Sequence, residues 1–116
     1  TWAARGLAAR ADEAEDVADI VRDEAERFAL EATARQAAPL VAQLRDKADE
    51  IRRHEVRRHD AKLRGLSEAE RDAVDAVTRG IVAKLLHQIT VRLKDDAGTP
   101  QGERNAAAVR DLFDLG

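Results

Sequence analysis

Cysteine is absent from the 116-residue sequence, which removes disulfides, thiolate metal sites and cysteine nucleophiles from these residues. The six glycines are scattered and form neither a G-x-G-x-x-G turn nor a phosphate-cradling loop. Only two prolines and three aromatic residues occur. No apolar run approaches the ~18 residues of a membrane helix and no signal-peptide pattern opens the chain, so a soluble cytoplasmic protein without a membrane partner is expected. Neither charge sign dominates. Twenty basic and 23 acidic residues leave a net charge of −3, which favours neither bulk nucleic-acid binding nor an acidic-tail function. Without an initiator methionine before Thr1-Trp2, the chain reads as a piece of something longer.

What remains is alanine and charge. Hydrophobic residues make up 44% of the chain, yet 24 of them are alanine and only 26 are Leu, Ile, Val or Phe. Such composition predicts long helices packed closely, with a core thin enough to need a partner chain. One domain is the natural count.

The best helix start is Ser67, three residues before Glu70, in the arrangement where each side chain satisfies the other residue's free backbone N–H. Behind it Val74, Val77, Ile81 and Leu85 recur at helical spacing, and Val82, Leu86 and Ile89 widen the stripe. Two adjoining apolar faces on one helix predict packing against more than one neighbour. Val74, Val77, Ile81, Leu85 and Leu86 are therefore the candidate interface residues.

Upstream, residues 2–38 carry a helical pattern. One heptad seam holds Ala11, Ala18, Ala25 and Ala32, the other Leu7, Ala14, Val21 and Phe28; the outer face is acidic, with Asp23–Arg27 and Glu31–Arg35 spaced as i,i+4 pairs. Pro39 either kinks this helix or restarts it. Leu40, Val41, Leu44, Ala48 and Ile51 then form a stripe that fades before Gly65, a C-terminal stop. Beyond the central helix, which could bend at residues 87–90, Gly98, Pro100 and Gly102 mark a loop. Thr99 would cap a last helix whose face is Ala106, Val109, Leu112 and Phe113, ending at Leu115. No strand alternation occurs, so the fold class is all-α, a bundle of long helices.

Chemistry is harder to find. His54 and His59 are five residues apart, about 140° around a helix, whereas the helical zinc motif needs histidines four apart on one face; no metal site is assigned. Arg52, Arg53, Arg57 and Arg58 form a basic patch within a segment carrying six basic residues against Glu55 and Asp60. The patch could track phosphates, but no aromatic residue lies nearby to stack a base, and solvation or pairing with acidic side chains explains it equally. Lys84 and His87 suit a helix end, and no nucleophile or carboxylate is aimed at them by spacing. No catalytic residue is assigned.

The run from Pro39 to Ala97 resembles the C-terminal dimerisation domain of glutamyl-tRNA reductase. The features that carry the resemblance are Pro39, Leu44-Arg45, Ala48 through Arg52, Glu55, the Leu66-Ser67 turn with Glu70-Arg71, and above all Lys84-Leu85-Leu86-His87. The closing AAAVRDLFDLG fits the same family, and residues 1–38 resemble the end of the long helix that strings its domains together. Ile89 stands where the family commonly has proline. The resemblance implies a division into residues 1–38, connecting helix, and residues 39–116, dimerisation domain. It implies a homodimer whose parent enzyme uses NADPH to reduce glutamyl-tRNA to glutamate-1-semialdehyde in tetrapyrrole biosynthesis. A cysteine nucleophile and the nucleotide-binding domain would lie N-terminal to this region, so no cofactor is expected on these residues. Contact of the basic patch with tRNA(Glu), or docking of a regulatory protein, are the alternative roles.

Overall fold

The computed structural model describes the backbone of residues 2–116 and the side chains of residue 10 and residues 12–116. Four helices follow one another: α1 (Trp2–Arg58), α2 (Asp60–Leu63), α3 (Glu68–Asp95) and α4 (Pro100–Leu112). The molecule measures 95 × 21 × 15 Å, and α1 accounts for that length, since its 57 residues rise about 85 Å at 1.5 Å each.

Alanine and the straight-chain Glu, Arg and Gln residues lose little on entering a helix, and α1 runs through Pro39 without stopping. Proline inside a helix costs about 3 kcal/mol, through a lost hydrogen bond and a clash one turn back. Here Pro39 and Arg35, one turn earlier, are both exposed, so the unpaired carbonyl faces water. Ala37, Leu40, Val41 and Leu44 around the proline are buried, and that packing outweighs the penalty. Of the two expectations at Pro39, the restart is thus excluded: the helix continues through it.

The break comes instead at His59, which leaves helical geometry at φ −99°, ψ 14°. Its backbone N–H donates to Val56 O at 3.2 Å, freeing the Glu55 carbonyl, and the His59 ring donates Nδ1–H to that carbonyl at 3.0 Å. A short α2 and a turn through Gly65 then reverse the chain. Ser67 Oγ accepts from Glu70 N–H at 3.2 Å while Ser67 N–H donates to Glu70 Oε1 at 3.0 Å, the capping box expected from the sequence. From there α3 runs unbroken past His87 and Ile89 to Asp95; no proline interrupts this stretch, so each residue keeps its backbone donor.

The turn into α4 uses Gly98 at φ +82°, a conformation open to glycine without steric cost. Thr99 Oγ1 accepts from Gly102 N–H at 3.1 Å, with Pro100 in the first turn, as predicted. Gly102, however, belongs to α4 and is buried: a Cβ there would lie 1.9 Å from the Asp96 carbonyl oxygen. Its role is close approach, not looping. At the far end Asp114 adopts φ 53° while Leu115 N–H donates to Arg110 O at 2.9 Å and Asp114 N–H reaches Asp111 O at 3.4 Å. These two bonds satisfy terminal carbonyls of α4 in a Schellman motif.

α3 runs antiparallel to α1, with Gly98 beside Ala34 at one end and Asp75 bonded to Arg52 at the other. α4 returns alongside, held by Arg110 to Gln36 at 2.9 Å and by Lys47 Nζ donating to Phe113 O. Leu40, Val41 and Leu44 of α1, Leu86 and Leu93 of α3, and Ala106 and Val109 of α4 form the core. Two sequence expectations change. Ile51 and Leu112 stand 60% and 79% exposed, because α3 and α4 reach only one side of each stripe.

Upstream of residue 29, α1 projects beyond this body. Val17, Ile20, Val21 and Phe28 are exposed, as are Ala14, Ala18 and Ala25, so these seam positions meet no helix of the same chain; Leu7 and Ala11 lie outside the described side chains. The Asp23–Arg27 and Glu31–Arg35 pairs do not close among the described residues. Arg22 reaches Asp19 at 3.6 Å instead, with both side chains more than half exposed. Water competes well with such pairs and long side chains lose entropy on forming them.

Candidate interface on the α1–α3 face

Consecutive helical residues point about 100° apart, so α3 presents two faces. Val82, Leu86, Ile89 and Leu93 turn inward onto the core. Val77, Ile81 and Leu85, one turn apart along the adjacent face, remain 61%, 54% and 71% exposed. Across the seam, Ile51 of α1 is 60% exposed. Between the two helices lies an open groove of about 500 Å³ lined by Ile51, Val56, Leu63, Val74, Ile81 and Val82, with Arg52, Glu55, His59 and Thr78 at its edges.

The five sequence-predicted interface residues therefore separate. Val74 is half-buried and lines the groove, Val77, Ile81 and Leu85 stand in a row beside it, and Leu86 is 7% exposed in the core. Leu86 is thus engaged within its own chain. Ile51, Val56 and Leu63 were missed as site residues. Their signal was present as apolar positions within and beside the charged segment, but only the antiparallel reversal at residues 59–67 brings them opposite α3.

The four arginines separate as well. Arg52 is buried and does not face solvent as the basic-patch reading requires. Its Nε donates to Asp49 Oδ1 at 2.8 Å, and its Nη1 donates to Asp75 Oδ1 at 2.8 Å and to Thr78 Oγ1 at 3.4 Å. Arg53 pairs with the other oxygen of Asp49. Arg57 and Arg58 are exposed, with Arg58 3.6 Å from Glu55. Hydrogen bonds from Arg52 first, and from Arg53, hold the Asp49 carboxyl below the ordinary aspartate value. The bond to Asp49, then that to Asp75, raises the Arg52 guanidinium above its usual range against the opposing effect of burial. Asp75 also forms an ion pair with Arg79 at 2.9 Å. A charge network so occupied is a clamp between α1 and α3.

Nothing in this arrangement assembles a reaction centre. His54 and His59 converge on no third ligand, and among the described residues no three His, Cys, Asp or Glu side chains are placed to hold a metal ion. No described helix is long and apolar enough to cross a membrane. What the α1–α3 face offers is apolar surface beside a rigidly paired seam.

Comparison with known proteins shows the family. The family described as glutamyl-tRNAGlu reductase, dimerisation domain, matches residues 16–115. The glutamyl-tRNA reductase of Myxococcus xanthus (strain DK1622) is 40% identical over 115 residues, covering 98% of this chain and 26% of that protein. That of Natranaerobius thermophilus is 35% identical over 91% of this chain and 23% of the protein, and that of Thermobifida fusca 39% identical over 85% and 21%. The chain thus spans about a quarter of the length of these curated relatives. No solved structure matches it significantly.

Proposed function

The chain belongs to the glutamyl-tRNA reductase dimerisation-domain family, and from that premise we propose that it joins two copies of such an enzyme through the α1–α3 face. The observation that carries this reading is the row Val77, Ile81 and Leu85 with Ile51 of α1, four large aliphatic side chains each more than half exposed, of which Ile51 and Ile81 also line the groove. Burying apolar surface contributes about 25 cal/mol per Å², so covering these residues and the groove walls stabilises a dimer while supplying what a core with two fully buried large side chains among the described residues lacks. A self-complementary patch of this kind suits a two-fold interface, where the same surface serves both partners. Residues 39–116 form the dimerising body in this reading, and residues 1–38 the end of a rod leading toward the catalytic parts.

The parent activity belongs to the same proposal. It is reduction of glutamyl-tRNA to glutamate-1-semialdehyde with NADPH, in a cytoplasmic tetrapyrrole route. The residues here do not fit a nucleotide: they offer no glycine-rich turn, and Gly98 and Gly102 are both packed against protein atoms. Hydride transfer is therefore assigned no step on this chain. Arg57 and Arg58 are the members of the basic patch left to meet a tRNA backbone.

Sedimentation equilibrium over a concentration series, with circular dichroism alongside, tests the interface. The expected result is a helical dimer that melts higher when more concentrated, and that Ile81→Glu and Leu85→Glu convert to a helical monomer. A concentration-independent monomer for the unaltered chain would sink the proposal.

A further inference from the structure

The α1–α3 seam has a second side. Opposite the apolar groove lies a smaller cleft of about 340 Å³, where Arg45 and Asp49 of α1 face Arg79 and His87 of α3 over a floor of Val82 and Leu86. Its charge balance differs from its composition. Asp49 lines the cleft, but both of its oxygens are already paired, one with Arg52 and the other with Arg53. Arg79 uses only Nε, on Asp75, which leaves both Nη groups of its guanidinium free. Arg45 and His87 form no ion pair or side-chain hydrogen bond among the described residues. Two guanidinium groups and an imidazole thus border one concavity whose single acidic side chain, Asp49, is already paired with Arg52 and Arg53.

We propose that this cleft binds a phosphate group. Planar guanidinium forks match the oxygens of phosphate in pairs, and an imidazole beside them supplies a further donor. The partly apolar floor lowers the local dielectric on one side and strengthens each contact relative to open water. The site is independent of the dimer reading. It differs from the basic patch expected at Arg52, Arg53, Arg57 and Arg58: Arg52 and Arg53 are held by Asp49, and of the cleft cations Arg45 has no partner among the described residues while Arg79 engages Asp75 through Nε alone. An RNA backbone and a free phosphate present the same chemistry here. Because Arg45, Arg79 and His87 are exposed, single contacts are weak, and affinity depends on several acting together.

The experiment is a side-chain NMR titration of the full 116-residue chain at low ionic strength. Inorganic phosphate is one probe, a short RNA hairpin the other, and chloride the control. Saturable shifts of the Arg45, Arg79 and His87 resonances with phosphate and not with chloride are expected. Arg45→Gln and His87→Gln should each weaken binding about threefold or more, while Arg27→Gln, on the projecting part of α1, leaves it unchanged. Hairpin binding at tenfold lower concentration than phosphate, with a salt slope reduced by about one in Arg45→Gln, identifies a nucleic-acid backbone as the source. Equal binding per phosphate identifies a free phosphate. Absence of saturable shifts at these three residues, or indifference to Arg45→Gln and His87→Gln in variants with unchanged circular dichroism, overturns the proposal.

Discussion

Arg52 Nη1 on α1 lies 2.8 Å from Asp75 Oδ1 on α3, and among the described residues this is the one side-chain ion pair that joins two helices. It separates the apolar groove from the cationic cleft, so the two surfaces share one hinge of charge. Each carboxylate in the network has a second arginine, Arg53 for Asp49 and Arg79 for Asp75, whereas Arg52 depends on both acids.

That asymmetry predicts a non-additive pattern in urea unfolding. Arg52→Met should be tolerated within about 1 kcal/mol, because both acids keep a partner and an apolar side chain fills the space. Asp49→Ala and Asp75→Ala should each lower the midpoint modestly. The double variant should lower it by more than the sum, since it leaves a buried guanidinium unanswered. Additive midpoints would show that the clamp is not a unit.

Acid should loosen the same seam. Arginine hydrogen bonds depress the Asp49 carboxyl, and the Ser67 backbone and hydroxyl bonds depress that of Glu70. A group whose folded pKa is depressed contributes stability above its unfolded value and loses it as pH falls toward the folded one. Thermal midpoints should therefore hold near neutrality and drop below about pH 4, the ordinary carboxylate range. Glu70→Gln should flatten part of that drop. Ser67→Ala, which removes the cap itself, should cost about 1 kcal/mol at neutral pH.

Gly98 in the α3–α4 turn and Gly102 within α4 should behave differently. Gly98→Ala forces a side chain into φ +82° and places its Cβ 3.3 Å from Ala34 Cβ, for a cost of about 1–2 kcal/mol. Gly102→Ala meets a backbone oxygen at 1.9 Å, which no rotamer relieves. It should cost about 3 kcal/mol and detach α4, seen as loss of hydrogen-exchange protection there before loss of α1 or α3.

Leucines on the two faces of the body should also part company. Leu44 is fully buried, and Leu44→Ala should destabilise by about 2–5 kcal/mol at any protein concentration. Leu85 is 71% exposed, so Leu85→Ala should change unfolding little in dilute solution. Under the interface proposal, its effect appears as a lower melting temperature only where the unaltered chain is dimeric. Denaturation at two concentrations a hundredfold apart distinguishes the cases.

The sequence by itself determined the elements whose causes are local. Ser67 with Glu70, Thr99 with Pro100, and the 3.6-residue spacing of aliphatic positions each act within one or two turns, so the α3 and α4 starts and the all-α class were legible without coordinates. The two-faced character of α3 was also legible, since Ile81 and Leu85 cannot share an orientation with Val82 and Leu86. Tertiary structure decided everything that depends on which face meets which. It carried α1 through Pro39, because burial of Leu40 and Leu44 outweighs a lost hydrogen bond. It left Ile51 and Leu112 in solvent and drew Leu86 inside. It also turned Arg52 from a candidate surface cation into a buried clamp, because Asp75 is 23 residues distant in sequence and reaches Arg52 only after the chain reverses. Local rules reach a few residues, whereas burial and pairing are settled by the packing of whole helices.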